Sequence, residues 1–463
     1  MKVLRRFGVS VCLLVAVAGH TQRVQEWLTT PDRKALVAEQ VPTAFVKQSP
    51  AVETIIVDPK QKMQTMDGFG FALTGGSAQL MQKMSPAART ALIHELLETT
   101  DKGIGVSYLR VSIGASDMND RVFSYDDLPP GEEDRSLLRF SLREDEADVI
   151  PVLREVLKIS PKIAIMASPW TAPSWMKTNG DPKGGKLKPE MYGTYAAYLV
   201  KYLEGMEAEG IPITALTVQN EPLNPKNTPS MVMEAEEQKI FIRDHLGPAL
   251  RRSKLKTKII LYDHNMDEPG YPMTTLKDKA AAKYVAGSGF HLYLGKAEAM
   301  STVHDAFPQK GLYFTEQMIV DRKGATGLAI AAPVKRVIVG ATRNWAKSVL
   351  LWNLAADPQF GPHTSNGGCP VCEGAITLDG DTVTRNLAFY TLAHASKFVP
   401  PGSVRVGSTE TDELADVAFR TRARKLVLIV ANTSADEKSF AVRDGNKVFE
   451  AKLTAGAVAT YVW

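Results

Sequence analysis

Two glutamates stand where an apolar run stops. The stretch "ITALTVQNEPLNP", Ile213 to Pro225, alternates apolar and β-branched residues and then delivers Gln219, Asn220, Glu221 and Pro222. "GLYFTEQ", 311 to 317, ends in the same way on Glu316. One such Glu is most often half of a loop ion pair. Two of them, each closing a buried strand, offer a different chemistry. Carboxyl groups that share a poorly solvated site are driven apart in proton affinity, leaving one proton donor and one carboxylate. Cleavage of a glycosidic bond uses that pair, an acid for the leaving oxygen and a carboxylate at the anomeric carbon.

Further polar and aromatic residues close apolar runs. Asp117 follows "YLRVSIG", Trp170 and Trp175 lie in "ASPWTAPSWMKTNG", and His264 closes "KIILYDHN". His291 and Tyr293 fall in "GSGFHLYL", and Trp352 with Asn353 in "SVLLWNLA". Indole and phenol rings suit the C–H faces of sugars. The two histidines read either as hydrogen-bonded core residues or as metal ligands. No H-E-x-x-H and no tight His/Asp cluster favours metal, and the two-carboxylate chemistry calls for no cofactor.

Elements that could position these residues alternate along the chain. Strand-like runs occur at 68–73, 108–114, 162–170, 215–222, 258–265, 287–294, 311–317 and 348–355. Helical stretches separate them. In "SPAARTALIHELLE", Ser85 suits an N-cap and Pro86 the first turn, while Leu92, Ile93, Leu96 and Leu97 share one face. Eight such repeats predict an α/β fold, a (β/α)₈ TIM barrel over residues 66–398, with an open doubly wound sheet as the competing arrangement. Barrel active sites collect at the C-terminal ends of the strands. Strands four and seven lie on facing sides of the ring, so Glu221 and Glu316 point into one mouth. From 399 to 463 the pattern changes to short strands with turn signals, which predicts a β-sandwich. "VQEWLTT" and "ETIIVDP", within residues 21–65, are expected to join it.

Composition sets the outer bounds. With 463 residues, 44% hydrophobic and 23% charged, the chain suits one large globular domain and a smaller one. Its net charge of +4 is spread along the sequence, and three of the basic residues (Lys2, Arg5, Arg6) belong to the extreme N-terminus. No clustered basic face is available to phosphates, so no nucleic-acid partner is expected. The N-terminus pairs "MKVLRR" with an apolar stretch and the small-residue pattern Ala16-Val17-Ala18. This reads as a signal peptide over residues 1–18, too short to span a bilayer, and predicts a secreted or periplasmic protein. Removing it also removes Cys12, leaving Cys369 and Cys372 in "NGGCPVCEG" as a disulfide that staples a loop.

The stretches "TVQNEP", "YFTEQ", "ASPWTAPSWMKTNG", "YLRVSIGASDMND" and "LLWNLA" together resemble glycoside hydrolase family 30, and within it the glucosylceramidase branch. The likeness runs from about Trp27 to the C-terminus and is most specific in the Ser-Pro-Trp-Thr-x-Pro-x-Trp-x-Lys stretch. It implies a retaining mechanism on a barrel with an attached β-sandwich, Glu221 as general acid/base and Glu316 as nucleophile. It also implies that Asp117, Trp170, Asn220, His291 and Trp352 bind the substrate, and that Arg110 and Tyr293 orient the nucleophile. Two features depart from the mammalian-type pattern. His291-Leu292-Tyr293 stands where those enzymes read His-Trp-Tyr, and the loop "DPQFGPHTSNGGCPVCEG" differs in length and carries the cysteine pair, as in bacterial members. The expected substrate is a β-glucoside or glycolipid of the glucosylceramide type. A β-1,6-glucanase, a β-xylosidase and a non-catalytic carbohydrate-binding protein are the alternatives. The sequence assigns no oligomeric state.

Overall fold

The computed structural model describes residues 23–51, 53–321, 327–411 and 413–463. The segment read as a signal peptide, and Cys12 with it, lies outside the described residues. Eight parallel strands form a closed barrel: Gly68–Ala72, Tyr108–Ile113, Ala164–Pro169, Ala215–Thr217, Lys258–Met266, Val285–Gly295, Gly311–Glu316 and Ala346–Leu351. They follow one another round the ring in chain order, and the last pairs with the first, Ser348 opposite Gly68, which excludes the open sheet. The helix Pro86–Leu97 starts as its sequence dictates. Ser85 accepts from the Ala88 amide, and Leu92, Ile93 and Leu96 are buried beneath it while Leu97 is only partly covered.

The fourth strand is shorter than its sequence suggests, ending at Thr217. From there the backbone leaves the ladder and bonds to the ends of its neighbours. Val218 N donates to Ile260 O at 3.2 Å, Asn220 N to Pro169 O at 2.8 Å, and Glu221 N to Asp263 O at 2.9 Å. Glu221 takes a left-handed φ of 43°, a conformation that costs a non-glycine residue about 1–3 kcal/mol and collects at functional sites.

Side-chain alternation builds the barrel interior in layers. Tyr108, Met166, Ala215, Ile260, Tyr313 and Leu350 make an apolar layer. Two residues further along each strand, period two brings up Arg110, Ser168, Thr217, Thr315 and Trp352. On the fifth strand the same count from Ile260 reaches Tyr262, yet the residue that joins this layer is Asp263. Tyr262 and Asp263 both have positive φ, 72° and 68°. Pairing with the sixth strand jumps from Tyr262–Gly289 to His264–Phe290. This bulge packs Tyr262 against Tyr271 and Phe290 and turns the Asp263 carboxylate among the barrel-lining side chains.

Ten further strands form an antiparallel-rich sheet beside the barrel. Arg23–Thr29 pairs with the C-terminal strand Val458–Val462, and Glu53–Thr65 pairs with Val404–Ser408 and Lys438–Asp444. Alternation again sorts the residues. Leu414, Ala418, Leu428 and Val430 fill the core of the sandwich, whereas Val417, Phe419, Val427 and Ile429 pack with the barrel's core. His394 ties the two bodies at this seam. Its ring nitrogens meet Thr460 Oγ1 at 2.9 Å and Thr29 Oγ1 at 2.8 Å, and burial pushes its pKa down to about 3.

Between the barrel and the C-terminal strands lies a three-stranded sheet of Ala355–Ala356, Ile376–Asp379 and Thr382–Arg385. Residues 357–374 connect its first two strands at the barrel mouth, and Cys369 and Cys372 are joined there as a disulfide, as expected. Among the described residues, no helix is long and apolar enough to cross a membrane.

Candidate active site

Arg110 is the centre of the polar layer. It is completely buried, and both terminal nitrogens of its guanidinium are engaged: Nη1 donates to Glu316 Oε2 at 2.6 Å, and Nη2 to Asn220 Oδ1 at 2.7 Å and Asp263 Oδ2 at 2.9 Å. Its carbon lies 4.9 Å from the ring centre of Trp170 and 5.9 Å from that of Trp352, and the two indoles stand 5.4 Å apart. One guanidinium thus locks strands two, five and seven and the segment after strand four, while the indoles shield it from water. A planar fork with five donors fits this task where a lysine would not.

Glu316 also accepts a hydrogen bond from the Tyr293 hydroxyl at 3.0 Å. Tyr293 is fixed in turn, its Oη accepting from Met318 N at 3.1 Å and its own amide donating to Asn265 Oδ1 at 2.9 Å. Glu316 therefore meets a cation on one oxygen and a hydroxyl on the other.

Glu221 has different company. Oε2 accepts from Asn224 Nδ2 at 2.7 Å and Asn227 Nδ2 at 3.4 Å. Oε1 lies 3.2 Å from His291 Nδ1 and 3.6 Å from His264 Nδ1. Burial by itself raises a carboxyl pKa, but here the two imidazoles outweigh it and hold Glu221 well below the usual carboxylate range. The opposite shift appears on His291. Burial disfavours its charge, yet Glu316, Asp263 and Glu221 surround it and lift its pKa to about 10. Its Nε2 faces Asp263 Oδ1 at 3.1 Å, so both ring nitrogens serve as donors. Donor atoms of Glu221, His264 and His291 all lie within 4.8 Å of one another, a spacing that could hold a cation. A doubly protonated His291 has no lone pair to give, and this set fits the sharing of a proton instead.

Asp117 shows a third behaviour. Burial, together with repulsion from Glu316 and Glu221, raises its pKa to about 8. Its Oδ1 is buried without a protein hydrogen bond, as is the indole nitrogen of Trp170. Both atoms suit the hydroxyl groups of a sugar.

A cavity of about 430 Å³ opens over these groups, lined by Asp117, Glu221, Tyr293, Glu316 and Trp352 with the disulfide turn. The size suits a small ligand. A second cavity, about 440 Å³, lies where Glu95 already pairs with Arg385, away from both glutamates.

The candidates drawn from the sequence converge, but their places differ. Arg110, Asn220 and His291 sit behind the cavity wall, and Trp170 stands beside the wall residue Trp352, 5.4 Å away between ring centres. The placement of His291 corrects one expectation: its ring is inaccessible, and its nitrogens face Glu221 and Asp263 instead of the cavity. Trp175 spends its indole N–H on Asp126 O at 2.9 Å, and Asn353 Oδ1 accepts from Thr74 and Ser77; both are structural. Asp263 escaped notice because its bulge breaks the alternation from which inward-facing residues are counted. Asn224 and Asn227 carried a readable signal, since they follow Glu221 by three and six residues in "EPLNPKN".

Residues 66–399 match the model of the glycosyl hydrolase family 30 TIM-barrel domain and residues 402–461 that of the family's beta sandwich domain. An endo-1,6-beta-D-glucanase of Neurospora crassa is 34% identical over 89% of this chain and 85% of its own length. The lysosomal acid glucosylceramidase of Mus musculus is 30% identical over 88% of this chain and 83% of its own. The solved structure of the endo-beta1,6-glucanase BT3312 superposes with a TM-score of 0.88 at 34% identity, covering 95% of this chain and 99% of that one. A closed barrel with a buried carboxylate pair at its mouth, the attached sandwich and these matches agree: the chain is a β-glycosidase and belongs to glycosyl hydrolase family 30.

Proposed function

We propose that this enzyme is a retaining β-1,6-glucanase, with Glu316 as nucleophile and Glu221 as acid/base. One observation carries the mechanism. His291 Nδ1 lies 3.2 Å from Glu221 Oε1 and 3.6 Å from Glu316 Oε1. Carboxylates that close to a single atom fit direct attack, for which a separation of about 5–5.5 Å is typical, better than the wider spacing that admits a water. Their neighbours divide the roles. Arg110 and Tyr293 orient Glu316 for attack, one on each carboxylate oxygen. Glu221 shares a proton with His291, and Glu316 is the strongest of the charges keeping that proton on the imidazole. When Glu316 bonds to the anomeric carbon its charge is consumed, His291 becomes a weaker base, and the proton is released through Glu221 to the departing oxygen. Asp117 and Trp170 supply the unpartnered polar atoms for the sugar hydroxyls.

The substrate reading rests on likeness to enzymes named as endo-1,6-β-glucanases, at higher identity than to the mouse glucosylceramidase. This favours the glucanase alternative over the glucosylceramide-type substrate first expected. Export by the N-terminal segment forms part of the reading, placing the enzyme where glucans are met; N-terminal sequencing of the exported protein checks it. The deciding assay compares kcat/KM on a linear β-1,6-glucan, glucosylceramide and an aryl β-xyloside, with NMR of the first-formed anomer. Preference for the β-1,6-glucan with a β product is expected. Preference for glucosylceramide would restore the first expectation, and an α product would remove the retaining mechanism.

A further inference from the structure

The disulfide turn does more than close a loop. Cys369, Pro370 and Cys372 line the same cavity as Glu221 and Glu316. Cys372 is 4% exposed and packs in one apolar cluster with Trp170 and Trp352, the indoles that cover Arg110, and Cys369 lies against the same cluster. The sulfur bridge therefore forms part of the wall that a bound sugar meets.

The chain leading into the turn is seated on the two loops that carry the polar groups of the site. Thr364 N donates to Asp117 O at 2.9 Å, and Thr364 Oγ1 donates to Thr228 O. Thr228 N donates to Gly367 O at 3.2 Å, and Lys183 Nζ to Asn366 O at 2.7 Å. Gly367 has a φ of +124°, and a Cβ there would come within 2.6 Å of Lys226 O and 2.7 Å of Thr228 Oγ1. Only glycine allows so close a seat. Lys226 and Thr228 flank Asn227, which with Asn224 binds Glu221 Oε2. A short path of chain and hydrogen bonds thus runs from the disulfide to the loop that orients the acid/base, and another to Asp117.

We infer that the Cys369–Cys372 turn is a specificity-determining wall of the sugar pocket and a positioning element for Glu221 and Asp117. The inference rests on the roles proposed for those residues. The bridge spans a sequence separation of only three, and loops that short gain little global stability from cross-linking. Its effect is local: it fixes the 364–372 segment against the indoles, and so fixes what that segment touches.

The test uses the full chain in two forms, the Cys369→Ser/Cys372→Ser variant and the wild type treated with a phosphine reductant, with alkylation and mass measurement to count free thiols. Substrates are 4-nitrophenyl β-glucoside and a β-1,6-glucan. In both forms KM should rise about tenfold to a hundredfold, the loss that misplacing a binding group by roughly an ångström produces. The pH profile of kcat/KM should shift on the limb set by Glu221. Activity should fall further on the glucan, whose leaving group needs the acid, than on the aryl glucoside. Near-ultraviolet circular dichroism should be retained, and reoxidation should restore the wild-type KM. An unchanged KM and pH profile in the folded variant, or in the verified reduced enzyme if the variant does not fold, overturns the inference. Wild-type protein inert on both substrates would remove the glycosidase roles themselves, and with them this inference.

Discussion

Arg110 and Asp263 form an ion pair 2.9 Å long in which neither side chain is exposed. Asp263 also accepts from Ser168 Oγ at 2.8 Å, Thr217 Oγ1 at 2.7 Å, Thr315 Oγ1 at 2.6 Å and His291 Nε2 at 3.1 Å. Buried charges persist only when paired and hydrogen-bonded, and removing one partner leaves the other uncompensated. Asp263→Ala should therefore cost about 3–5 kcal/mol of stability, read from urea unfolding. Asp263→Asn keeps the shape and should cost less, while still lowering kcat because His291 loses one of the carboxylates that hold its proton. A fully stable Ala variant would show that Arg110 needs no counter-ion at this position.

Much of this arrangement was legible before the fold was known, and the exceptions have a common cause. Strand alternation and polar strand ends located Glu221, Glu316, Asp117 and Trp352, because period two in a closed barrel leaves few places for a strand's last polar residue to point. Alternation fails where the backbone departs from the ladder. The bulge at Tyr262–Asp263 exchanged an inward Tyr for an inward Asp, and the left-handed turn at Glu221 shortened the fourth strand. His291 was found as a strand-end residue but given the wrong neighbour, since sequence does not reveal which of several carboxylates a buried ring will face. Glucosylceramide was expected from motifs shared throughout the family. Those motifs lie in the barrel strands and their ends, whereas the loop 357–374, part of which lines the cavity, is where this chain departs from the pattern.

Substitution of the two glutamates should produce different kinetics. In the roles proposed above, Glu316→Ala removes the attacking atom and should abolish turnover on every substrate. Glu221→Ala removes the proton donor, a contribution of about 10²–10⁴-fold, and should spare glycosylation by aryl glucosides whose leaving groups need no acid. Azide should then accelerate turnover and yield a β-glycosyl azide. A 2-fluoro glucoside inactivator should label the peptide containing "YFTEQ". Label on "VQNEP" would exchange the roles.

The seam between barrel and sandwich should be acid-sensitive through His394. Burial lowers its folded pKa to about 3, below the ordinary value near 6.5. The unfolded chain thus binds the proton first as pH falls. The stability that the neutral ring contributes is fully present above pH 6.5 and is lost on the way down toward 3, at about 1.4 kcal/mol per pH unit. His394→Gln should lower the melting temperature at neutral pH yet lose less of it between pH 6.5 and 4 than the wild type does. Parallel melting curves across that interval would show that the ring is not held neutral.

Asp117 should act in the opposite direction along the pH scale. Its folded pKa of about 8 exceeds the ordinary value near 3.8, through burial first and then repulsion from Glu316 and Glu221. Between those limits the native state binds a proton that the unfolded state has released, so this group's contribution is greatest below pH 3.8 and declines as pH rises through 8. Asp117→Asn imitates the neutral acid and cannot ionise. Its melting temperature should equal or exceed that of the wild type, with the gap widening toward pH 8 and level above it. Binding separates from stability. At pH 6 the wild-type carboxyl carries a proton to donate to a sugar hydroxyl, and Asp117→Ala, which has none, should lose about 0.5–1.5 kcal/mol in kcat/KM on an aryl glucoside without unfolding, the size of a neutral hydrogen bond. The wild type itself should lose affinity for the glucoside as pH passes 8, because an ionised Asp117 can only accept, and it does so beside two other carboxylates. A KM that stays flat from pH 6 to 9, in an enzyme whose stability is equally flat, would place an ordinary carboxylate at this position.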